Sequence, residues 1–283
     1  MSRRFKQVDV FTTAPFMGNP LAVILDAEGL SGQQMQAIAR WTNLSETTFV
    51  LPATDPAADY RIRIFTTSEE FPFAGHPTLG TAHALLQAGL RPKTPGVLVQ
   101  ECGVGLVLVR IADDGGLAFR APPATVAALD AGLMPLLRTA LGTAAPTEGQ
   151  PPVVVNIGIR WLVVRLDTAA DCMAASFSAA AIAELTQRAG SDGVAVYGPH
   201  PSGAPADYEV RAMCVENGVM IEDPVTGSAN ASIARLLIGG PDYTVRQGTA
   251  LGRNGRVTIT YLDGEPWIGG HVVTVIDGVM KNH

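Results

Sequence analysis

A six-residue pattern occurs twice in this chain, roughly half its length apart. Ala58–Arg63 reads ADYRIR, and Ala206–Arg211, which starts 148 positions later (206 − 58), reads ADYEVR. A second pair follows in the same order, HPTLGTA at His76–Ala82 and DPVTGSA at Asp223–Ala229, at an offset of 147 (223 − 76). Two ordered matches in nearly constant register indicate an internal duplication, which constrains a fold more than any local pattern does. We therefore expect a duplicated α/β unit, with one copy in each half.

Each copy has the same order of predicted elements. An apolar strand region comes first, then a helix, then a strand of alternating apolar and polar residues, and finally a proline turn with a helix of small residues. In the first copy these elements are Val8–Phe11 with Leu21–Leu25, Ser31–Arg40 with Ser31 as its N-cap, Tyr60–Phe65, and Pro77–Ala88. In the second copy they are Val153–Leu166, Ser178–Ala189, Tyr208–Met213 and Pro224–Ile238.

A turn-rich stretch lies between the copies. Residues 121–152 contain several prolines and glycines, and we interpret them as the connection, with one helical segment at about Val126–Leu141. The sequence thus predicts two domains. One is residues 1–121 with a C-terminal tail at about 271–283, and the other is residues 122–270.

Composition limits the classes of function. The 283 residues are 47% hydrophobic and 16% charged, which suits a buried core and not a disordered chain. A net charge of -6 disfavours a nucleic-acid surface but permits a local site for a small anion. The first apolar stretch is too interrupted for a signal peptide, and no apolar run is long enough to span a bilayer. We expect a cytoplasmic protein with neither a membrane nor a nucleic acid as its partner.

Cysteine and histidine spacing does not indicate a metal site. Cys102, Cys172 and Cys214 form no C-x-x-C pair and are odd in number, which also argues against a disulfide framework. The five histidines show no ligand spacing such as H-E-x-x-H. We therefore expect no metal and a reducing compartment.

The two predicted small-residue helices start with candidate site residues. Proline is favoured in the first turn of a helix, so His76 and Asp223, which precede Pro77 and Pro224, are predicted to be N-caps. A helix start presents unpaired N–H groups and a partial positive charge, which can bind an anion. The neighbouring candidates for substrate binding are glycines that admit a ligand close to the backbone and hydroxyl donors, namely Gly75, Gly227, Thr226 and Ser228.

Glu46 is the predicted acid/base group. It follows a helical pattern and precedes the apolar residues Phe49 and Val50. Burial disfavours the charged form of a carboxyl group and raises its pKa toward the working pH, as general acid/base catalysis requires. We expect Glu46, His76 and Asp223 to converge between the two halves, where the helix starts would stabilise negative charge on the substrate.

Each of these residues also has a structural interpretation. Asp223 could be only an N-cap, Glu46 could be solvated at a strand start, and His76 could be a core histidine. Ser45 and Ser228 are most simply turn and cap residues. The repeat favours a functional role for His76 and Asp223 together, because they occupy the same place in both copies.

Five motifs resemble those of one known family. They are DVFT at Asp9–Thr12, GNPLAV at Gly18–Val23, LSETTFV at Leu44–Val50, FAGHPTLGTA at Phe73–Ala82, and EDPVTGSA at Glu222–Ala229. In combination and in this order they are similar to the PhzF family of phenazine-biosynthesis-like proteins. The resemblance implies the diaminopimelate-epimerase fold, with two α/β domains that each wrap a mixed sheet around a central helix and a site in the cleft between them. It also implies a homodimer that needs no cofactor.

The resemblance implies roles for individual residues. The family prototype isomerises trans-2,3-dihydro-3-hydroxyanthranilate by moving a proton along a conjugated system, and its acid/base glutamate matches Glu46. Its other catalytic positions match His76 and Asp223, and its substrate-holding serine matches Ser228. Within the same motifs, Asn19, Ser45, Gly75, Thr226 and Gly227 are predicted to contact substrate.

Other enzyme classes fit less well. Racemases and epimerases of the same superfamily use two cysteines, but the corresponding positions here are Gly75 and Asp223, so a two-thiol mechanism is disfavoured. Gly103-Val104-Gly105 resembles the start of a dinucleotide fingerprint, but it lacks the third glycine and runs into a strand pattern. Ser228 lies in no G-x-S-x-G elbow of a serine hydrolase.

A non-catalytic binding protein for a small carboxylate is the alternative from a different class. The complete set of Glu46, His76 and Asp223 argues against it, because binding alone needs no poised acid/base group. An amino-acid epimerase on the same scaffold also remains open. Incorporation of solvent deuterium into a substrate carbon would distinguish an enzyme from a binding protein.

Overall fold

The computed structural model describes residues 2–216 and 218–281, and it divides into two compact units. Unit 1 is Met1–Arg120 with Gly269–His283, and unit 2 is Ala121–Ile268. The last two residues of the predicted C-terminal tail, Asn282 and His283, lie outside the described residues.

Unit 1 contains two helices and a mixed sheet. The helices are α1 (Gly32–Thr42) and α2 (Gly75–Gln87). The strands are β1 (Ser2–Val10), β2 (Asn19–Ile24), β3 (Thr47–Leu51), β4 (Tyr60–Phe65), β5 (Glu70–Phe71), β6 (Val97–Cys102), β7 (Gly105–Ile111), β8 (Leu117–Arg120) and β18 (Val272–Lys281). β2 pairs in parallel with β3, and β4 pairs in parallel with β6. The pairs β1–β18, β1–β2, β3–β4, β4–β5, β6–β7 and β7–β8 are antiparallel.

The central helix of unit 1 is α2. It contacts β1, β2, β3 and β8, and every residue of Gly75–Ala82 is buried. Small residues allow the sheet to approach, since a Cβ added to Gly80 would lie 2.5 Å from Cδ2 of Leu21. A helix that is apolar on all sides is stable only when it is buried, and this helix therefore carries His76, its second residue, into the interior.

The opposite face of this sheet is covered by α1. Met35 and Ala39 pack there with Ile24, Phe49 and Phe65. The predicted N-cap is confirmed, because the Ser31 hydroxyl accepts from the backbone N–H of Gln34 and the Gln34 side chain accepts from the backbone N–H of Ser31. This reciprocal capping fixes the start of α1.

Unit 2 repeats the arrangement with additional helices. Its helices are α3 (Met134–Leu141), α4 (Ala169–Ala174), α5 (Ala179–Ala189) and α6 (Gly227–Leu236), with 3₁₀ turns at Ala131–Leu133 and Thr249–Leu251. Its strands are β9 (Thr125–Ala128), β10 (Val153–Asn156), β11 (Arg160–Arg165), β12 (Gly193–Pro199), β13 (Tyr208–Glu216), β14 (Val219–Asp223), β15 (Tyr243–Gln247), β16 (Gly255–Leu262) and β17 (Glu265–Gly270).

The strand pairings of unit 2 match those of unit 1. β11 pairs in parallel with β12 as β2 does with β3, and β13 pairs in parallel with β15 as β4 does with β6. α6 takes the place of α2, with Gly227–Ala234 buried. On the other face, helices α3 and α5 contribute Leu137, Leu141, Ile182 and Leu185 to a second core. The predicted duplication of a mixed sheet around a central helix is confirmed.

Two charge pairs mark equivalent places in the units. Arg63 on β4 pairs with Glu70 on β5 at 2.6 Å, and Arg211 on β13 pairs with Glu222 on β14 at 2.8 Å.

A second pair of equivalent positions carries opposite charges in the two units. Between β4 and β6, Arg61 lies opposite Glu101. Between β13 and β15 the signs are exchanged, and Glu209 lies opposite Arg246. The backbone pairing is therefore kept while the charges differ.

The predicted connection between the copies is wrong in part. The start of the predicted helical segment, Val126–Ala128, instead belongs to β9 (Thr125–Ala128), which pairs antiparallel with Val153–Asn156. The helix begins only at Met134, and its Leu137 and Leu141 lie in the core of unit 2. The stretch is thus part of unit 2 and not a free linker, because pairing with a distant strand overrides a local helical pattern.

Within the described residues, no helix is long and apolar enough to cross a membrane. The same residues contain no group of three or more His, Cys, Asp or Glu side chains that could hold a metal ion. Cys102, Cys172 and Cys214 are not in disulfides among the described residues, and Cys172 is buried.

Candidate active site

A carboxylate and an imidazole meet inside unit 1. Glu46 lies in the connection between α1 and β3, and His76 is the second residue of α2. Oε2 of Glu46 is 3.4 Å from Nε2 of His76, and the two side chains are 14% and 5% exposed. The structure therefore brings together two of the three residues predicted to be catalytic, although they are 30 positions apart (76 − 46).

Asn19 lies on the other side of the imidazole. Its Nδ2 is 3.4 Å from Nδ1 of His76, and both residues are buried. An amide N–H donates to a ring nitrogen that carries no proton, so this contact assigns the proton of the neutral imidazole to Nε2. Nε2, the nitrogen that then carries the proton, is the one that lies 3.4 Å from the Glu46 carboxylate.

Burial keeps the imidazole neutral. Loss of solvation lowers the pKa of His76 to about 3, because the protein interior disfavours the imidazolium cation. A neutral His76 lies within 3.4 Å of the Glu46 carboxylate but does not carry a positive charge near neutral pH. Of the two groups, Glu46 is the one suited to exchanging a proton with a substrate.

The turn before Asn19 is held by a residue that the sequence analysis did not assign. The buried carboxylate of Asp9 accepts from the backbone N–H of Gly18 at 3.1 Å. A side chain at Gly18 would run into the carbonyl oxygen of Val10, so only glycine fits there. Asp9 and Gly18 belong to the DVFT and GNPLAV motifs, and they set the position from which Asn19 reaches His76.

The predicted N-cap positions of His76 and Asp223 are wrong. The N-cap of α2 is Ala74 and His76 lies inside the helix, while the N-cap of α6 is Thr226 and Asp223 is the last residue of β14. Proline is tolerated throughout the first turn, because the first N–H groups of a helix have no intrahelical acceptor, so Pro77 does not mark the first residue. Residues 224–226 separate Asp223 from the helix.

Both central helices start without a side-chain cap. Among the described residues, no side chain accepts a capping hydrogen bond as an N-cap of α2 or α6. Gly75 and Gly227 are the first residues of these helices, and both are buried. The first-turn N–H groups are therefore not taken up by the N-cap side chains, and they keep the positive end of each helix dipole.

The start of α6 in unit 2 is held by Gln247, which the sequence analysis missed. Its Oε1 accepts from the backbone N–H of Thr226 at 3.0 Å and from Asn230 Nδ2 at 2.9 Å. Its Nε2 donates to Thr226 Oγ1 at 2.8 Å and to the carbonyl oxygen of Asp223 at 3.2 Å. This fully buried amide thus fixes both Asp223 and Thr226.

Ser228 occupies the position in α6 that His76 occupies in α2, the second of the helix. Its hydroxyl accepts from Trp161 Nε1 at 3.0 Å, and it is buried. Trp161 was not singled out from the sequence.

Ser45 is half-buried and directly precedes Glu46. The predicted site residues therefore fall into two sets, Asn19, Ser45, Glu46, Gly75 and His76 in unit 1, and Asp223, Thr226, Gly227 and Ser228 in unit 2.

Unit 2 has a counterpart of Glu46 with a different environment. Asp192 directly precedes β12, as Glu46 directly precedes β3. Its carboxylate forms an ion pair with Arg160 at 2.6 Å, and both side chains are exposed. Of these two equivalent carboxylates, only Glu46 of unit 1 lies beside an imidazole.

The model of the family described as "Phenazine biosynthesis-like protein" (PhzC-PhzF) matches residues 8–278. An "uncharacterized isomerase" of Mesorhizobium japonicum is 34% identical and covers 98% of both chains. A Schizosaccharomyces pombe protein named "Antisense-enhancing sequence 1" is also 34% identical, over 97% of both chains. A trans-2,3-dihydro-3-hydroxyanthranilate isomerase of Pseudomonas aeruginosa is 57% identical over 83 residues, which are 29% of each chain.

Solved structures show the same fold. A "predicted epimerase" of Pseudomonas aeruginosa superposes with a TM-score of 0.82 at 31% identity, over 99% of this chain and 100% of that one. A PhzF-family protein of Bacillus anthracis gives a TM-score of 0.85 at 23% identity, over 100% of both chains. A hydroxyproline epimerase of Agrobacterium vitis, at 16% identity, gives 0.64 over 98% of this chain and 92% of that one. The architecture is therefore that of PhzF proteins and of the related epimerase-like folds.

Proposed function

Since the chain belongs to the PhzC-PhzF family of phenazine biosynthesis-like proteins and is an isomerase, we propose that it transfers a proton on a small carboxylate-bearing substrate with Glu46 as the acid/base group. Glu46 takes a proton from one carbon and returns it to another carbon of the same molecule. The formula of the substrate does not change, so no oxidant or second substrate is consumed.

The contact between Glu46 and His76 carries this proposal. The carboxylate of Glu46 is largely buried, and its Oε2 lies 3.4 Å from the imidazole Nε2. Because His76 is neutral, it orients the carboxylate without neutralising it with a full positive charge. His76 is thereby assigned a positioning role on Glu46, and Asn19 fixes the tautomer that this role requires.

We propose a substrate similar to trans-2,3-dihydro-3-hydroxyanthranilate. The support is a relative of that name with 57% identity over 83 residues, together with the family match over residues 8–278. A conjugated ring acid suits the mechanism, because negative charge left by proton removal can spread over the conjugated system. Roles for Asp223, Thr226, Gly227 and Ser228 in holding the substrate stay predictions, as do the cytoplasmic location, the homodimer and independence from cofactors.

Proton exchange with solvent tests the proposal. The wild-type protein is incubated in D₂O with trans-2,3-dihydro-3-hydroxyanthranilate, and the product is analysed by NMR for deuterium at the carbon that gains hydrogen. We expect deuterium at that carbon with the wild type and no conversion above background with Glu46→Gln. Full conversion by Glu46→Gln would refute the assignment of the base.

Epimerisation is the second candidate, favoured by the 31% identity to the structure named as an epimerase. The same experiment distinguishes the two reactions. An epimerase exchanges hydrogen at one carbon and inverts it, so deuterium appears at the original carbon of an amino or hydroxy acid and optical rotation changes. An isomerase of the proposed kind places deuterium at a different carbon.

A further inference from the structure

Unit 1 contains an open cavity of about 700 Å³. Leu30, Met35 and Phe71 form apolar parts of its wall, and Arg61, Arg63 and Cys102 also line it. Glu46, His76 and Asn19 are not among the described residues that line it. This groove is therefore distinct from the proposed acid/base site.

Arg61 reaches the groove with its hydrogen-bond donors unused. Its side chain makes no hydrogen bond or ion pair within residues 2–216 and 218–281, and its Nε is buried without a partner. The opposite residue, Glu101, accepts instead from the Thr54 hydroxyl and from the backbone N–H groups of Thr54 and Asp55. The hydrogen bond from Thr54 is the main reason that the pKa of Glu101 is low, and Arg61 contributes least. A buried donor left without an acceptor is energetically unfavourable, so a ligand with an oxygen acceptor would stabilise Arg61.

Arg63 adds a second guanidinium on the same side of β4, two residues along the strand. It uses Nε and Nη2 to bind Glu70 at 2.7 and 2.6 Å, and its Nη1 has no hydrogen bond in the described parts of the chain. Its tip also lies against the start of α1, since a Cβ on Gly32 would be 3.3 Å from Nη2. The first turn of α1 contains no acidic residue to offset this charge. This wall of the groove therefore presents two guanidinium groups and the start of a helix, beside the carboxylates of Glu70 and Glu101, which also line the groove.

The equivalent place in unit 2 is filled by the chain itself. Arg211, which the ADYRIR and ADYEVR repeats align with Arg63, donates through Nη1 to the carbonyl oxygens of Cys172 at 3.0 Å and Ala175 at 2.9 Å. Its guanidinium also lies 4.7 Å from the ring centre of Phe177. These acceptors belong to α4 and the residues after it, and no helix stands between β2 and α1 in the described chain of unit 1. Carbonyl oxygens backed by an aromatic ring therefore complete this site in unit 2.

We propose that the groove of unit 1 is a second binding site, which takes a small aromatic carboxylate. The carboxylate accepts from Arg61 and from Nη1 of Arg63, as the carbonyl oxygens after α4 accept from Arg211. The ring packs on Leu51 and Phe71, which line the groove and are only partly buried. Glu70 and Glu101 do not compete for the two guanidinium groups, because Glu70 is already bound through other atoms and Glu101 is held by Thr54.

Protection of Cys102 from alkylation tests this site. Cys102 lines the groove and is half-buried, and Cys214 of unit 2 is also half-buried, so it serves as a control within the same molecule. The folded full-length protein is treated with iodoacetamide with and without benzoate, and each cysteine peptide is followed by mass spectrometry. At a benzoate concentration of about four times its Kd, alkylation of Cys102 should slow about fivefold, because only the unoccupied fraction reacts. The rate at Cys214 should not change.

Two variants complete the experiment. Arg61→Gln should abolish the protection of Cys102, and Arg91→Gln, which changes an exposed arginine that does not line the groove, should keep it. An unchanged Cys102 rate in wild type, equal slowing of Cys214, or full protection in a folded Arg61→Gln would each overturn the proposal. If Arg61→Gln does not fold, the comparison of Cys102 with Cys214 in the wild-type protein still tests the proposal. Isomerase activity is not measured, so failure here leaves the proposed function unaffected.

Discussion

Nε2 of His76 lies 3.4 Å from Oε2 of Glu46, and the imidazole side chain is only 5% exposed. The two residues have different tasks in this arrangement. The imidazole is neutral and is fixed by Asn19, so the proposed mechanism assigns the proton transfer to the Glu46 carboxylate.

Replacing Glu46 with Gln should lower kcat by roughly 10²–10⁴, because the amide keeps the shape of the side chain but cannot accept a proton. Steady-state kinetics with the proposed substrate would measure this. The matched control is Asp192→Asn, which changes the equivalent carboxylate of unit 2 at an exposed ion pair. That variant should keep wild-type kcat, and equal losses in both variants would contradict a specific role for Glu46.

The tautomer of His76 should depend on Asn19. In ¹⁵N NMR spectra of the wild type, we expect His76 to stay neutral with its proton on Nε2 from pH 5 to 8, since burial lowers its pKa to about 3. Asn19→Asp replaces the amide donor with an acceptor, so the proton should move to Nδ1 or the ring should become charged. A wild-type His76 that titrates near pH 6.5 would show that the imidazole is not buried as described.

The burial of His76 should make stability depend on pH in acid. An unfolded histidine binds a proton below a pKa of about 6.5, whereas the folded His76 does so only near pH 3. The unfolded state therefore binds more protons between these two pH values. The contribution of His76 to the free energy of unfolding is thus complete above pH 6.5 and is lost as the pH falls toward 3. The free energy of unfolding should fall about 1.4 kcal/mol per pH unit more steeply in wild type than in His76→Gln. Urea unfolding between pH 6.5 and 4 measures the two slopes, and parallel slopes would contradict the prediction.

The close approach of α2 to the sheet should make Gly80 sensitive to any side chain. In Gly80→Ala the new methyl group would lie 2.5 Å from Leu21 Cδ2 and 3.0 Å from side-chain atoms of Val8 and Val10. We expect the free energy of unfolding to fall by about 1–3 kcal/mol, as overpacked cores do. Gly278→Ala adds the same group where no atom lies within 4 Å among the described residues, and it should be close to neutral in the same urea titration.

The amide of Gln247 should matter for both stability and catalysis. Gln247→Leu keeps the volume but leaves the Thr226 N–H and the Asn230 amide without their acceptor, which should cost about 2–3 kcal/mol of unfolding free energy. Because Gln247 also holds the Asp223 carbonyl, kcat should fall as well. Gln150→Leu, at an exposed position, is the control for the change of residue type. Wild-type stability in Gln247→Leu would show that these hydrogen bonds are dispensable.

The repeat allowed the architecture to be predicted. Local sequence patterns also predicted an element correctly where its structure depends only on neighbouring residues. Strand Tyr60–Phe65 and the N-cap Ser31 were predicted correctly, because alternation and capping depend on neighbouring residues only. The assignment of Val126–Ala128 as helical was wrong, because the structure of these residues comes from pairing with a strand almost thirty positions later.

The site was predictable in part. The motifs singled out Glu46 and His76, but no spacing rule brings a loop carboxylate to the second residue of a helix 30 positions away (76 − 46). The protonation state of His76 depends on burial and on Asn19, both of which are tertiary properties. Gln247 and Trp161 were missed because they act by contact with α6 from distant strands, and nothing in their local sequence marks them.

The exchange of charges between the two units has a consequence for folding. Duplicated halves with nearly the same strand pattern risk pairing with one another during synthesis. If β4 paired with β15 in the native register, Arg61 would face Arg246, and if β13 paired with β6, Glu209 would face Glu101. Like charges directly opposite on neighbouring strands are unfavourable. The reversed signs therefore disfavour pairing between the strands of one half and those of its duplicate.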